Sequence, residues 1–89
     1  MNANKFGKSY IENLKGTIVV SGYDLDGSIL AVDLVDENRV NYLVADNSKG
    51  ELLVRLVGKS VSVSGDISWD NDCKLIVVSS FQLISDKNS

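Results

Sequence analysis

Leu56-Val57-Gly58-Lys59-Ser60-Val61-Ser62-Val63-Ser64-Gly65-Asp66-Ile67 is the stretch on which the reading of this chain turns. From Ser60 to Ser64, serine and valine alternate strictly. Successive side chains of a strand point to opposite faces, so this pattern makes a strand with an apolar side and a solvated serine side. Gly58 stands ahead of it, where a helix ends in a left-handed residue. Gly65 interrupts the alternation, and an isolated glycine in a strand marks a bulge or a sharp bend. The passage therefore predicts the end of a helix followed by a bent strand that continues through Ile67 and Trp69.

Toward the N-terminus, Ser48-Lys49-Gly50-Glu51 fits a capping box, in which serine and glutamate exchange bonds with each other's backbone N–H. Leu52, Leu53 and Leu56 then form one apolar stripe. A helix of about two turns has too few internal bonds to persist alone, so it must dock on something larger. Before it, Ile29 to Val35 and Arg39 to Ala45 are β-rich runs joined by the polar turn Asp36-Glu37-Asn38, which predicts a hairpin. Gly16 to Ser21 reads as the first strand, entered from Ile11 and Leu14, with a turn over Tyr23 to Ser28. Beyond the opening stretch, Asp70-Asn71-Asp72 turns the chain and Leu75 to Ile84 reads as the last strand. The order is three strands, a short helix and two strands, an all-β chain.

That order, with a glycine bending the fourth strand, is similar to the OB fold, the oligonucleotide- and oligosaccharide-binding domain. The opening stretch resembles the helix-end-to-fourth-strand passage of small bacterial OB domains, and Ile76-Val77-Val78-Ser79-Ser80-Phe81 resembles their closing strand. A fainter likeness, in the last two strands, is to the periplasmic bacterial OB-fold family. The resemblance covers roughly residues 12 to 84. It implies a five-stranded Greek-key barrel with one short helix between strands 3 and 4. The division expected is a flexible segment at 1–10, the barrel at 11–85 and a flexible tail at 86–89. It also implies a binding surface across the second and third strands, residues 29–45, rimmed by the loops at 23–28 and 69–74.

Composition narrows the function. With 89 residues there is room for one core, and 44% hydrophobic and 24% charged residues are ordinary for a globular domain. Cys73 is alone, so no disulfide can form within the chain. No apolar run approaches the ~20 residues of a membrane span. Lys5 and Lys8 are followed by no apolar stretch of the signal-peptide kind, so the expected location is cytoplasmic.

Single-strand nucleic-acid binders combine a basic groove with aromatic rings on which bases stack. Here the two rim loops carry Asp24, Asp26, Asp70 and Asp72 against Lys74, and the net charge is −3. Tyr23, Tyr42 and Trp69 could stack bases, but the acidic loops disfavour a phosphate chain. Asp24-Leu25-Asp26-Gly27 lacks the remaining oxygen ligands of a calcium loop, and the absence of histidine with a single cysteine excludes a zinc site within one chain. The turn aspartates are expected to bond their own backbone. Without histidine the commonest general acid–base is missing, and Cys73 stands between Asp72 and Lys74, with Asp70 and Asp72 opposing a reactive thiolate. No enzyme, metal or cofactor is expected.

What remains is an apolar surplus. Ile18 to Val20, Ile29 to Val32 and Leu75 to Val78 are apolar on both strand faces, which suggests cover on both sides. The helix and the segment around Phe6, Tyr10 and Ile11 could supply that cover, or a protein partner or second copy could. The expected function is a non-enzymatic module for protein–protein interaction or self-assembly, with contact residues Tyr23, Ile29, Ala31, Tyr42, Trp69 and Val77. The alternative is atypical single-stranded nucleic-acid binding.

Overall fold

A computed structural model describes residues 6–70 and 73–84 of the chain. Its elements are β1 (Phe6–Tyr23), β2 (Ile29–Asp36), β3 (Asn41–Val44), α1 (Ser48–Val54), β4 (Ser60–Asp70) and β5 (Cys73–Leu83). The strands close into a barrel in the order β1-β2-β3-β5-β4. Every pairing is antiparallel except β3 with β5, which are parallel with Leu43 opposite Leu75 and Val44 opposite Ile76. The expected five-stranded all-β barrel, with one helix between the third and fourth strands, is the architecture observed.

β1 serves two neighbours because it bends. The register with β4 shifts between Ile11 and Leu14, and Asn13 adopts a left-handed φ of 58°. Two hydrogen bonds hold that bend: the Asn13 N–H donates to Ser64 Oγ at 3.1 Å, and the Ser62 hydroxyl donates to Asn13 Oδ1 at 3.4 Å. Ser62 was expected on a solvated face and is instead buried, its hydroxyl satisfied by this asparagine. Before the bend, Phe6 to Ile11 run along Asp70 to Gly65 of β4; after it, Gly16 to Tyr23 run along Asp36 to Ile29 of β2. β1 therefore starts at Phe6, five residues before the expected barrel boundary. Residues 6–10 are too polar to announce a strand, but backbone pairing with β4 does not require apolar side chains. Residues 1–5 and 85–89 lie outside the described residues.

The inward row consists of Ile18, Val32, Leu34, Tyr42, Val44, Val61, Val63, Ile67, Ile76 and Val78, and Leu53 of α1 completes it. Val61 and Val63 face inward as the serine–valine alternation predicts. Gly65 falls at the register shift between β4 and β5, where a Cβ would run into the Val77 carbonyl. The bend expected at that glycine is thus a bulge into which only glycine fits.

Two local expectations shift by a residue or more. The N-cap of α1 is Asn47, whose Oδ1 accepts from the Gly50 N–H at 2.7 Å, in place of Ser48. Asn47 also donates from Nδ2 to the Val78 carbonyl at 3.3 Å, tying the helix start to β5, which a serine hydroxyl is too short to do. β3 is shorter than expected because Arg39 is left-handed, with φ of 67°, and belongs to the preceding turn. There the Asp36 carboxylate accepts from the N–H groups of Asn38 and Val40. Gly58 has the left-handed φ expected of it (86°), but it follows the C-cap Arg55 by three residues, and its N–H bonds Ile18 of β1. No helix among the described residues is long and apolar enough to cross a membrane.

Candidate functional site

β2 pairs with β1 from Asp36 to Ile29, with register shifts around Leu30, but with β3 only through Asp33, Leu34 and Val35. Ile29 to Val32 consequently have a backbone partner on one side and none on the other among the described residues. β3 cannot reach them because the chain turns off: the Ala45 N–H bonds Ile76 on β5 at 2.9 Å, and Asn47 then starts the helix. Between the unpaired edge of β2 and the corner where β3 meets α1 lies a groove of about 530 Å³, within the usual size range of binding pockets. Its apolar walls include Leu30, Ala31, Leu43, Val54 and Leu75. Leu30 is 67% and Leu43 45% exposed, so both present large apolar surface to solvent. The ionisable residues on the lining are Asp46 and Glu51, both carboxylates.

A second hollow of about 460 Å³ adjoins the first through Leu75 and contains Trp69 and Cys73. Trp69 is half-buried there, and its ring fills the space a Gly7 Cβ would take. Cys73 is a free, exposed thiol.

The expected contact residues do not form one cluster. Ile29 and Ala31 line the groove, and Tyr23, 65% exposed, is the β1 register partner of Ile29. Trp69 stands in the neighbouring hollow. Val77 is exposed on β5 and pairs with Asp66, outside both hollows. Tyr42 is buried, paired in register with inward-facing Leu34, and offers no ring face for stacking. Of the three aromatic rings considered for bases, the structure leaves two, in separate places. Leu30 and Leu75 belong to the apolar runs noted in the sequence but not to the expected contact residues, and Leu43 and Val54 carry no such signal. Leu30 is exposed where two things coincide: it lies past the end of β3, and the β1–β2 register shifts around it, leaving it without a partner on β1.

The aspartates of the β1–β2 turn bond locally. Asp24 Oδ1 accepts from the Leu25 N–H at 2.7 Å, and Asp26 Oδ1 accepts from the Ser28 hydroxyl at 2.6 Å and its N–H at 2.9 Å. The Ser28 hydroxyl first, and its N–H second, hold the Asp26 carboxyl below the usual aspartate range. Asp70 ends β4, and Asp72 lies outside the described residues. Among the described residues, no group of three or more histidine, cysteine, aspartate or glutamate side chains could hold a metal ion.

No family model, curated protein or solved structure matches this chain.

Proposed function

We propose that this chain is an OB-type barrel acting as a non-enzymatic module that binds a protein partner in the groove between β2, β3 and α1. The ring order 1-2-3-5-4, with the helix between the third and fourth strands, supports the OB reading. The observation that carries the binding reading is the unpaired β2 edge at Ile29 to Val32 beside an apolar groove. An extended segment laid there gains main-chain hydrogen bonds from the strand and pockets for alternate side chains. Asp46 and Glu51 on the lining favour a segment whose remaining side chains are lysine or arginine.

Display selection of random peptides on the wild-type chain, with counter-selection on Leu30→Glu, tests this. Clones that bind the wild type and not the variant should alternate apolar and basic residues. If every clone binds both proteins equally, the groove is not the site. Single-stranded nucleic acid is the alternative. Trp69 is the chain's one tryptophan, and its fluorescence should stay unchanged on adding oligonucleotides even at low salt. Quenching that fades as salt is raised would favour the nucleic-acid reading instead.

A further inference from the structure

A second unpaired edge lies on β1. Before the bend at Asn13, the segment Gly7 to Glu12 has β4 on one side; β2 begins to pair with β1 only at Gly16. Among the described residues no strand pairs with that side of the segment, and only at Glu12 does the β2–β3 turn border it. Open edges are templates for another strand, and proteins blunt them with charge, proline or cover. This edge has no proline, and its charges are Lys8 and Glu12. Lys8 and Tyr10 are both exposed and strand alternation sets them along one face; Glu12, also exposed, follows Ile11, the last residue in register with β4 before the bend. Tyr10 is 55% exposed.

We infer that this edge pairs antiparallel with the same edge of a second copy, about a two-fold axis through Tyr10. In that register each Tyr10 meets its mate, and each Lys8 lies opposite the Glu12 of the other chain. A lone edge lysine would repel a second copy. Here the glutamate four residues on turns the same charge into a self-complementary pattern, as a two-fold interface requires. Asp36 and Glu37 border the hollow beside Glu12 together with Lys15, so three carboxylates and one ammonium surround the place of the incoming lysine. The other unpaired edges among the described residues, Ile29 to Val32 of β2 and Ser79 to Leu83 of β5, carry no charge and specify no register. The result is a continuous six-stranded sheet, β5-β4-β1 of one chain followed by β1-β4-β5 of its partner. The pairing goes beyond the groove reading and does not depend on it, since Ile29 to Val32 stay open. Six residues a side bury less than an ordinary stable interface, so the dimer is weak and appears at high protein concentration.

Sedimentation over about a hundredfold range of concentration tests it. The wild type should pass from monomer to dimer, more weakly as ionic strength rises. Lys8→Glu and Glu12→Lys should each put like charges opposite one another twice, raising the dissociation constant about tenfold or more. Mixing the two variants should restore a dimer between them, because both cross-strand pairs are then opposite in sign. Both positions are exposed, and circular dichroism checks that each variant is folded. A wild type that stays monomeric throughout overturns the inference. So does a dimer that neither substitution weakens, or one that mixing fails to restore. Loss of peptide binding by Leu30→Glu with an intact dimer would separate this surface from the groove.

Discussion

The Tyr42 hydroxyl sits where the core meets the β2–β3 turn, 3.5 Å from Asp36 Oδ2. Burial first, then the charge of Asp36, pushes its pKa above the ordinary 10.0. The folded state therefore holds this proton more tightly than the unfolded chain does. Its contribution to stability is full below pH 10.0 and is lost as pH rises from there through the folded value. Tyr42→Phe should cost about 0.5–1.5 kcal/mol at neutral pH, the worth of one hydrogen bond, and should lose less stability than the wild type on the alkaline side. Urea unfolding at a series of pH values measures both effects. Parallel alkaline losses in the two proteins would mean that another group titrates.

At the scale of the element, α1 is a short helix held by what it touches outside itself. Leu53 is fully buried in the barrel, whereas Leu52 is 47% exposed. Leu53→Ala should cost about 2–5 kcal/mol, while Leu52→Ala should stay within about 1 kcal/mol. Asparagine and aspartate are equal caps in isolated helices, but Asn47→Asp should destabilise this protein by about 1–2 kcal/mol. The acid keeps the bond from Gly50 and loses the one to the Val78 carbonyl, placing two acceptors together. An aspartate variant as stable as the wild type in denaturant would show that the tie to β5 contributes nothing. Here the limits of the sequence are physical. Ser48 and Glu51 spell a capping box, yet Asn47 one residue earlier can do a second job, and tertiary contact decides between them. The valines of β4 were legible because one buried face forces strict alternation. The strand at Phe6 to Tyr10 was not, because its bonds are to backbone and the side chains of Lys8, Ser9 and Tyr10 are solvated. Ile29 and Ala31 could be picked for the groove from their apolar run, but Leu30 and Leu43 depend on where β3 leaves β2, and no local pattern announces that.

Across the whole molecule the ring is unevenly closed. β4 and β5 pair along ten register positions, whereas β3 and β5 are joined by two. The parallel seam is the place for the barrel to open, and sub-global opening is set by the weakest set of buried contacts. Hydrogen exchange should find the Ala45 amide, bonded across that seam to Ile76, less protected than amides in the middle of the β4–β5 ladder. Equal protection would mean that the barrel opens only by global unfolding.

The ring order also has a meaning in time. A ribosome makes β1, β2 and β3 first, and together they form a meander with both outer edges bare. The two strands that lie between β3 and β1 are the last to be made. At ~5–20 residues per second, the chain from Val44 to Leu83 takes about 2–8 s to appear. Through that interval Ile18, Leu34 and Tyr42, all core residues in the finished barrel, have no β4 or β5 to cover them. A nascent chain of this protein thus keeps that half of its core uncovered until the β4–β5 hairpin has left the exit tunnel.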